Sequence, residues 1–463
     1  MSTPLEQLGA LCEEGWLVGG AVRDRLLERE TTDYDVAVGG DAGALARALA
    51  KSAGGHPFQL SDAFGAWRVV AKDRSWQVDL TPLTAETIEQ DLGNRDLTVN
   101  AIAQPLHGGE LIDPHGGVDD LQRGVLRLVS PTSFSSDPLR VLRLVRLVIE
   151  LEFSFKSETT AAAQAAAPGL AGVAGERVFA ELRQIIGGEH PLKGIELLDQ
   201  LGVLEVILPE LTALHGIEQN VYHHLDVYDH TIATLAAAVE LERDPAALFG
   251  DETGAQVGVF LAEPLADELT RGAALRFGAL FHDIAKSTTR SVSDDGRIVF
   301  YGHDVAGAEV SAAILNRLRC SDRLSSHVAA LALDHLRLGF LVREAPLSPR
   351  AVYRYLASCD PLGVDVTLLS VADRLATQGK NGGPATAAHL KLAREVLPAA
   401  FAWHAERPRP PIRGDQLAAA LGIEPGPELG TLLAGLTEAA YAGEIASQAD
   451  VIAYAQAQLA AGR

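Results

Sequence analysis

The sequence predicts an α+β protein in which a small α/β head is followed by mostly helical domains. Short β-like runs alternate with helical segments only within about the first 125 residues. From Asp137 onwards, apolar residues recur at helical spacing. Ala and Leu dominate the composition and aromatic residues make up only 5% of it, which favours helix over sheet for most of the length.

The length of 463 residues is too great for one ordinary hydrophobic core, so several domains are expected. A break containing Gly and His near Gly216–His224 opens a His-rich helical region, and the Asn-Gly-Gly-Pro run at 381–384 is typical of a linker or turn. The expected domains are a head at 1–125, a helical neck at 126–220, a His-rich domain at 221–380 and a helical tail at 381–463.

The sequence shows no signs of export or membrane insertion. No segment with basic and apolar parts at the N-terminus resembles a signal peptide, and no apolar run is long enough to span a bilayer. Three widely spaced cysteines, Cys12, Cys320 and Cys359, form neither a disulfide framework nor a zinc motif. We therefore expect a cytoplasmic protein with no membrane partner.

The net charge of −22 argues against a generally basic surface that coats nucleic acid. Local binding of RNA stays open, because the distribution of charge matters more than its sum. Five arginines lie within one short stretch, namely Arg123, Arg127, Arg140, Arg143 and Arg146.

Two carboxylates lie on one predicted strand near the N-terminus. Asp33 and Asp35 are two positions apart, so their side chains point to the same face of that strand. Paired carboxylates attract hard divalent cations, and polymerases use such cations to align attack on a nucleoside triphosphate. A lone Asp-x-Asp is more often a solvated loop, so the context of this pair decides its meaning.

The context is a diglycine turn between a short strand, Trp16–Val18, and a helical segment. Gly19 and Gly20 allow backbone N–H groups to approach phosphates beside a helix N-terminus, and Arg23 adds a possible bidentate phosphate contact. A diglycine alone is usually only a turn. In the order strand, diglycine, helix and carboxylate strand, the segment predicts a site for nucleotidyl transfer with Mg²⁺.

Two further elements of the head carry polar groups of the same kind. Asp79 lies on the strand-like run Trp76–Leu80 and is the natural third carboxylate, although in isolation it would be a strand-end residue. Arg95, Asp96 and Asn100 suit hydrogen bonds to a ribose and a triphosphate. The alternative for these three is a capped helix start with a surface ion pair.

The segment from Ser135 to Arg140 reads as a helix start, with Asp137 at the N-cap and Pro138 in the first helical position. Asp137 as an acceptor beside Arg140 as a donor fits the pairing edges of cytosine and adenine. Uracil and guanine would leave unpaired groups, at about 1–3 kcal/mol each. The alternative is a simple N-cap beside a solvated arginine.

Six motifs occur in an order that resembles the class II tRNA nucleotidyltransferases, the family of CCA-adding enzymes and bacterial poly(A) polymerases. They cover residues 15 to about 210. The matching positions are Gly19-Gly20-x-x-Arg23-Asp24, Asp33-x-Asp35, Arg95 to Ala101, Asp113 to Leu121, Asp137-Pro138-x-Arg140-x-x-Arg143 and Glu176-Arg177-x-x-x-Glu181-Leu182.

This resemblance implies an enzyme that adds C, A or both from CTP and ATP to the tRNA 3′ end without a template. It implies catalysis by Asp33, Asp35 and Asp79, with Mg²⁺ at Asp33 and Asp35. It also implies an RNA-binding neck. The nucleotide-binding residues that it implies are Gly19, Gly20, Arg23, Arg95, Asp96, Asn100, Asp137, Arg140 and Arg143. A poly(A) polymerase is the alternative within the same superfamily.

Two departures from the family pattern concern which nucleotide is added. Ser136 occupies the position where the family usually has a Glu that braces the base-reading pair. The chain between Asp79 and Arg95 also lacks the flexible loop, rich in Arg and aromatics, of CCA-adding members. Its loss resembles enzymes that add only the two cytidines, so we expect CC addition, with a separate enzyme supplying the terminal A.

The second half of the chain resembles an HD phosphohydrolase domain over about residues 222–380. His230, His282, Asp283 and Asp373 match the metal-ligand pattern of such domains, which implies a divalent transition metal. His303, His327 and His335 are candidates for binding a second metal or for contact with phosphate. The expected substrates are 2′,3′-cyclic or 3′-terminal phosphates. An RNA-binding, metal-dependent phosphohydrolase without transferase activity is a further alternative.

Overall fold

The computed structural model describes residues 3–61, 65–379 and 382–461. The chain divides into two compact units. The first comprises residues 1–185 and 189–207, and the second comprises residues 186–188 and 208–463. The domain boundaries expected near residues 125, 220 and 380 stay predictions. None of the described helices combines the length and apolar character needed to cross a bilayer.

The first unit is mixed in secondary structure. Its strands are β1 Gly15–Val18, β2 Asp33–Val38, β3 Gly55–Ser61, β4 Ala66–Ala71, β5 Gln77–Pro82, β6 Ala103–Pro105, β7 Val125–Leu126 and β8 Ser154–Phe155. Its helices are α1 Pro4–Leu11, α2 Gly20–Leu26, α3 Ala42–Ala53, α4 Ile88–Gly93, α5 Gly117–Arg123, α6 Ser133–Ser136, α7 Leu139–Leu151, α8 Ser157–Ala166, α9 Gly175–Gly187, α10 Pro191–Gln200 and α11 Leu204–Ile207, with 3₁₀ helices at Thr98–Asn100 and Ala167–Gly172.

Six of these strands form one sheet in the order β3-β4-β5-β2-β1-β6. β2 and β5 pair in parallel, and the register places Asp35 opposite Asp79. The other neighbouring pairs in this sheet are antiparallel. The two central strands therefore carry all three predicted carboxylates side by side.

One layer of the head core forms where α4 and the segment around Ala101 pack on the sheet. Val18, Ala37, Leu92 and Ala101 are buried there, and Trp16 packs against them. Burial of these apolar side chains stabilises the head by about 25 cal/mol per Å² of apolar area removed from water. The packing also holds the segment that follows Arg95 next to β1 and β2.

The second unit is mainly helical. Its helices are α12 Pro209–Thr212, α13 Val227–Arg243, α14 Pro245–Phe249, α15 Asp251–Leu261, α16 Arg271–Phe281, α17 Lys286–Thr289, α18 His303–Arg317, α19 Asp322–Asp334, α20 Arg337–Leu341, α21 Pro349–Ser358, α22 Gly363–Ala376, α23 Gly382–Ala405, α24 Gly414–Leu421, α25 Pro427–Tyr441 and α26 Gln448–Ala461, with a 3₁₀ helix at Val342–Glu344. Short hairpins are formed by β9 Pro264–Ala266 with β10 Leu269–Thr270 and by β11 Ser291–Val292 with β12 Ile298–Val299.

The core of the second unit is built around α16. Ten of its eleven residues are buried, from Gly272 to Phe281. An apolar helix of this kind must be surrounded on all sides, and α13, α19 and α22 pack against it. The last buried residue, Phe281, leads directly into His282. The fully buried helix therefore carries that histidine into the interior.

The α+β prediction is confirmed, and most local predictions agree with the structure. The break predicted at Gly216–His224 lies between α12 and α13. The turn predicted at 381–384 is wrong in part, because α23 begins at Gly382, while Asn381 lies outside the described residues. Small residues and a proline fit the first turn of a helix, where N–H groups need no intrahelical partner.

Gly117, the first residue of α5, packs closely against the 3₁₀ turn at Thr98–Asn100. A Cβ atom at this position would lie 2.2 Å from the carbonyl oxygen of Thr98 and 2.8 Å from a side-chain carbon of Ile102. Both the carbonyl and the buried Ile102 resist displacement, because they belong to the packed head. No larger residue fits without moving backbone.

We expect Gly117→Ala to lower the free energy of unfolding by about 1–3 kcal/mol, because an extra methyl group must displace packed backbone. Urea denaturation followed by circular dichroism measures the change. Gly172→Ala in the same unit is the control, since a Cβ there meets nothing within 4 Å. Equal stability of the two variants would contradict the proposed close contact.

Candidate functional sites

The head contains a cavity of about 360 Å³ at the strand ends that carry the diglycine turn and Asp35. Its walls bring together residues from four separate sequence motifs. The predicted residues that line it are Gly19, Gly20, Asp35, Arg95, Asp96, Asn100, Arg140 and Arg143. The cavity therefore joins most of the nucleotide-binding residues expected from the sequence.

Three carboxylates influence one another beside this cavity. Loss of hydration, followed by the charges of Asp33 and Asp79, raises the pKa of Asp35 to about 6, although Arg95 and Arg143 oppose the change. Carboxylates that repel one another in this way suit a hard divalent cation, which relieves the repulsion. The charge on these side chains therefore fits the Mg²⁺ that the sequence implies.

Asp79 has a partner that the sequence analysis missed. Arg68 on β4 donates from Nε and Nη2 to the two carboxylate oxygens of Asp79, each at 2.6 Å. The registers of β4 with β5 and of β5 with β2 place Arg68, Asp79 and Asp35 in one row across the sheet. An arginine inside the apolar run Trp67–Val70 was the available signal.

The diglycine turn brings backbone close to the charged groups. Gly19 has φ +69°, in the left-handed region that favours glycine. A Cβ atom on Gly19 would lie 3.0 Å from Nη1 of Arg95 and 3.3 Å from Oδ2 of Asp35. The absence of a side chain therefore leaves space between an arginine and a carboxylate that a ligand can use.

Arg23, for which the sequence predicts a phosphate contact, has protein partners in this structure. Arg23 is 6% exposed, and its guanidinium forms two hydrogen bonds with the carboxylate of Asp24 and one, of 3.0 Å, with Oδ1 of Asn100. Its donors therefore bind protein groups. Arg23 instead positions Asn100, which lines the cavity.

Arg95, Asp96 and Arg143 are the charged side chains of the cavity wall. Nε of Arg143 pairs with Oδ2 of Asp96 at 3.2 Å, whereas Nε of Arg95 is buried without a hydrogen-bond partner. Oδ1 of Asp96, by contrast, accepts from the backbone of Leu97 and from Asn100. Burial raises the pKa of Asp96, but Arg143 and these hydrogen bonds outweigh burial and lower it. Asp96 is therefore a fixed anion beside two arginines.

The predicted base-reading residues have protein partners in this structure. Oδ2 of Asp137 accepts from Arg177 at 2.8 Å, and Asp137 does not line the described cavity. Arg140 donates to the carbonyl oxygens of Asn94 and Ser133, at 2.7 and 3.1 Å. Among the described residues, therefore, Asp137 does not lie beside a free Arg140 as the sequence predicts.

The helix start around Asp137 also differs slightly from the prediction. α7 begins at Leu139, one residue later than expected, with Pro138 as its N-cap. Oδ1 of Asp137 accepts from the N–H of Leu139 at 3.2 Å, so the carboxylate still caps the helix. Ser136 lies 3.3 Å from Nη1 of Arg140 through its hydroxyl, a neutral contact where a Glu would form an ion pair.

The connection from β5 to α4 is short and anchored at both ends. The N–H of Leu83 donates to the carbonyl of Val38 at 3.0 Å. Thr84 donates from its N–H and its hydroxyl to Oδ1 of Asp91, at 3.0 and 2.6 Å. Five residues, 83–87, make this connection, and Thr87 caps α4. The predicted loss of the flexible loop therefore matches a connection tied to the sheet and to α4.

The second unit gathers buried histidines around one carboxylate. Oδ2 of Asp283 lies 3.2 Å from Nε2 of His282 and 3.6 Å from Nε2 of His230. Oδ1 of Asp283 lies 3.5 Å from Nε2 of His303 and 3.7 Å from Nε2 of His335. We call these five residues, together with Asp373, the His–Asp cluster. Asp373 belongs to it because its Oδ1 lies 3.0 Å from Nε2 of His230.

Backbone carbonyls fix the orientation of three of these rings. Nδ1 of His282, His303 and His335 lies 2.7–2.8 Å from the carbonyl oxygen three residues earlier. Because a carbonyl only accepts, each Nδ1 carries a proton, and each Nε2 is left to face the Asp283 carboxylate. Nε2 of His303 and Oδ1 of Asp283 are buried without a hydrogen-bond partner, whereas Oδ2 of Asp283 lies 3.2 Å from Nε2 of His282 and 2.7 Å from Nζ of Lys286.

The cluster fits two metal ions that share Asp283. His230, His282 and Asp283 can place ligand atoms within 4.8 Å of one another, and so can Asp283, His303 and His335. Imidazole and carboxylate suit divalent transition metals. Burial raises the pKa of Asp283, but His282 and Lys286 outweigh burial and hold it well below its usual range. The shared ligand is therefore an anion.

Three family models match successive parts of the chain. Residues 15–127 match the poly A polymerase head domain, residues 152–214 match a probable RNA and SrmB- binding site of polymerase A, and residues 227–378 match the HD domain. The A-adding tRNA nucleotidyltransferase of Deinococcus radiodurans is 36% identical over 446 residues, covering 95% of this chain and 94% of that protein. The chain belongs to the tRNA nucleotidyltransferase family.

Relatives of this tRNA nucleotidyltransferase differ in the nucleotides for which they are named. The CC-adding enzyme of Thermus thermophilus is 32% identical over 450 residues, covering 96% of this chain and 93% of that protein. The multifunctional CCA protein of Nitrosococcus oceani is 33% identical over 364 residues, covering 75% and 80%. The CCA-adding enzyme of Thermotoga maritima, solved with tRNA, shares the fold at TM-score 0.61 and 20% identity, covering 98% and 94%. Identity alone therefore does not select the product.

Not every histidine predicted for the HD region of the tRNA nucleotidyltransferase joins the cluster. His327 lies 3.5 Å from Oδ1 of Asp365, which is paired with Arg271 at 3.1 Å. Burial and the charge of Arg271 lower the pKa of His327 to about 4. The prediction that His327 serves the metal site is therefore wrong. His327 lies within α19 and contacts Asp365, whereas His335 directly follows that helix and contacts Asp283.

Two polar residues beside the cluster were missed. Nζ of Lys286 lies 2.7 Å from Oδ2 of Asp283 and donates to Gln219 at 2.9 Å. The spacing of Lys286, three residues after Asp283 on a helical segment, was a usable signal. His223 packs edge-on against His230, and burial and Lys286 lower its pKa to about 3.

We expect the protein to bind two divalent transition-metal ions per chain in the His–Asp cluster. His303→Gln should reduce this number to one, because it removes a ligand of only one of the two groups. Calorimetric titration of metal-free protein with Mn²⁺ or Ni²⁺ measures the stoichiometry.

His327→Gln is the matched control, because this buried histidine lies outside the cluster. It should bind as many ions as the unaltered protein. Loss of an ion from His327→Gln but not from His303→Gln, in folded proteins, would contradict the assignment.

Proposed function

We propose that this protein adds nucleotides from CTP, ATP or both to the 3′ end of tRNA, without a template. The head cavity carries the proposal, because it combines the carboxylate of Asp35 with Arg95 and Arg143. A triphosphate carrying a divalent cation needs both kinds of charge in one place. Relatives named for A, CC and CCA addition match most of the chain and support the same reaction class.

The proposed reaction forms a bond between the tRNA 3′ oxygen and the α-phosphorus and releases pyrophosphate. Mg²⁺ bound by Asp33 and Asp35 would neutralise the triphosphate and favour ionisation of the attacking hydroxyl. Arg95 supplies donors to phosphate oxygens, since its Nε is unpartnered, and Arg143, which is paired with Asp96 through Nε, adds positive charge to the cavity wall. Asp79, paired with Arg68, keeps negative charge next to Asp35 without occupying the cavity.

We propose Asp137 and Arg140 as the base-selecting pair, on the condition that nucleotide binding rearranges them. Asp137 must leave Arg177, and Arg140 must exchange backbone carbonyls for a base edge. Asp137 lies two residues before α7 and Arg140 lies in its first turn, so a rearrangement at this end of the helix would move both residues. Arg177, which is half-exposed, is the residue that holds Asp137 in this structure.

The product that we propose is CC, completed to CCA by a separate enzyme. The connection of five residues between β5 and α4 is bonded to Val38 and Asp91 and leaves little chain to reshape the cavity. A cavity that does not enlarge favours cytosine over the larger adenine. The free cysteines Cys12, Cys320 and Cys359 fit the reducing cytoplasm, where we propose that the enzyme works.

For the second unit we propose hydrolysis of 2′,3′-cyclic or 3′-terminal phosphates. The observation that carries this second function is the set of four buried Nε2 atoms that lie within 3.7 Å of the Asp283 carboxylate. A transition metal bound there would supply a water molecule of lowered pKa and polarise the phosphate. Lys286 lines the same cavity as Asp283 and is placed to bind a phosphate oxygen.

Asp33→Ala combined with Asp35→Ala should abolish nucleotide addition, a loss on the order of 10³-fold or more, since several kcal/mol of charge stabilisation disappear. The assay uses tRNA ending at the discriminator base, Mg²⁺, CTP and ATP, and the products are sequenced. Products ending in CC are expected from the unaltered protein. Glu13→Ala, an exposed head carboxylate outside the cavity, is the control.

Other products of the same assay decide between the alternatives. Efficient completion to CCA defeats the CC proposal, and a single A on tRNA already ending in CC would make the enzyme A-adding. A long A tail on arbitrary RNA would identify a poly(A) polymerase. Absence of any addition, with hydrolysis retained in the double variant, would leave only the phosphohydrolase.

His282→Ala should abolish phosphate hydrolysis while nucleotide addition stays within about twofold. His282 and the carboxylates of the head belong to different compact units, so the two chemistries use different residues. Release of adenosine 2′- or 3′-monophosphate from adenosine 2′,3′-cyclic phosphate measures hydrolysis, and incorporation of labelled CTP measures addition. Parallel loss of both activities in a folded variant would refute two independent sites.

A further inference from the structure

The cavity beside the His–Asp cluster is larger than a phosphate group needs. Its volume is about 780 Å³, and it is lined by the cluster residues Asp283, His303, His335 and Asp373. Aromatic side chains line the same cavity, namely Tyr222, Phe300, Tyr301 and Phe340. A site for phosphate alone has no use for this apolar area, so the lining indicates a substrate with a planar apolar part.

The exposure of these aromatics is unusual within the described chain. Tyr301 is 79% exposed and Phe340 is 70% exposed, and Tyr222 is 55% exposed. Across residues 3–61, 65–379 and 382–461, only one other aromatic side chain, Phe58, is exposed to a comparable degree. Three of four such side chains therefore line one cavity, where a planar ligand would remove them from water.

The local structure holds these aromatic residues close to the cluster. The carbonyl of Phe300 accepts from Nδ1 of His303 at 2.7 Å, and the ammonium of Lys286 lies 5.2 Å from the centre of the Phe300 ring. Tyr301 follows Phe300 directly, so the backbone that orients His303 also carries Tyr301. Phe340, on α20, follows His335 by five residues.

Two arginines add positive charge to the same cavity. Arg343 is exposed and forms no hydrogen bond or ion pair with the described residues. Nε of Arg374 is buried without a hydrogen-bond partner, next in sequence to Asp373. Exposed aromatics beside available arginines are the combination that binds single-stranded nucleic acid, through base stacking and phosphate contacts.

We propose that Tyr301 and Phe340 form a base-stacking subsite, which binds the nucleoside that carries the phosphate to be hydrolysed. The subsite rests on the hydrolase function proposed above and adds the recognition of a base to it. Arg343 and Arg374 bind phosphate groups of the same ligand. The ligand is a terminal nucleoside phosphate, either as a free nucleotide or as the 3′ end of an RNA.

The test compares two substrates that differ only in the base. The full-length protein, loaded with whichever of Mn²⁺, Co²⁺ or Ni²⁺ supports hydrolysis, is given adenosine 2′,3′-cyclic phosphate or methyl riboside 2′,3′-cyclic phosphate. Tyr301→Leu and Phe340→Leu should each lower the ratio of the two kcat/KM values about tenfold, through KM for the adenosine substrate, as expected for one lost stack. Tyr301→Trp should restore the ratio.

Binding supplies a readout that does not depend on turnover. Calorimetry with metal-free protein and adenosine 2′,3′-cyclic phosphate should show about tenfold weaker binding in Tyr301→Leu than in the unaltered protein. Any nucleotide binding in the head is the same in these two proteins, so it does not affect the comparison. Val259→Ala, a 72% exposed side chain outside the cavity, should match the unaltered protein. An RNA ending in adenosine 2′,3′-cyclic phosphate separates the two sources, because a higher kcat/KM for it than for the free nucleotide identifies an RNA end.

The outcomes separate this proposal from the hydrolase function. If neither substrate is hydrolysed with any metal, the hydrolase function fails, and the binding measurement alone decides whether the stacking subsite exists. If the unaltered protein hydrolyses both substrates equally well, and neither Leu variant changes the ratio or the binding, the subsite is overturned while the hydrolase function stands.

Discussion

Asp283 is the residue on which the site of the second unit depends, because one carboxylate serves four imidazoles and an ammonium group. Its two oxygens lie within 3.7 Å of Nε2 atoms from His230, His282, His303 and His335. Such a charge is stable in the interior only when positive partners surround it. Several helices must therefore end or pass at the same point, and the buried α16 carries Asp283 to that point. The chemistry of the site thus fixes how the helices pack.

In the head too, clustered carboxylates need positive partners, but the sheet rather than the helices arranges them. Its carboxylates lie on neighbouring strands, so the sheet register rather than helix packing sets their spacing. Arg68 neutralises Asp79 from a third strand, while Asp35 keeps a raised pKa that only a further cation would lower. In both units, the clustered carboxylates and imidazole nitrogens outnumber the positive side chains beside them. A cation is therefore expected at these clusters, and the net charge of the whole chain does not decide this.

Local patterns made the fold class and the paired strands predictable, and the resemblance to HD domains predicted the set of His230, His282, Asp283 and Asp373. Each depends on side chains whose direction follows from strand or helix period, or on motifs with a firm spacing. Contacts between distant segments were not predictable in this way. The alternation of residues along β4 does not predict that Arg68 binds Asp79. The burial of Arg23 against Asn100 depends on a contact between residues 77 positions apart in the sequence. His327 failed for a similar reason, since its side chain points from α19 to Asp365.

The two proposed activities act on the same part of an RNA, its 3′ end. Nucleotide addition requires a free 3′ hydroxyl, because that oxygen forms the new bond to phosphorus. A 2′,3′-cyclic phosphate blocks this oxygen, and opening the ring with water yields a monoester from which a second hydrolysis releases the hydroxyl. A hydrolase that recognises the terminal base through Tyr301 and Phe340 would act on ends that the head cannot extend. The product of the second unit would then be the substrate of the first. Recognition of the terminal base would also explain why aromatic side chains line the cavity beside the metal site, which phosphate hydrolysis alone does not explain.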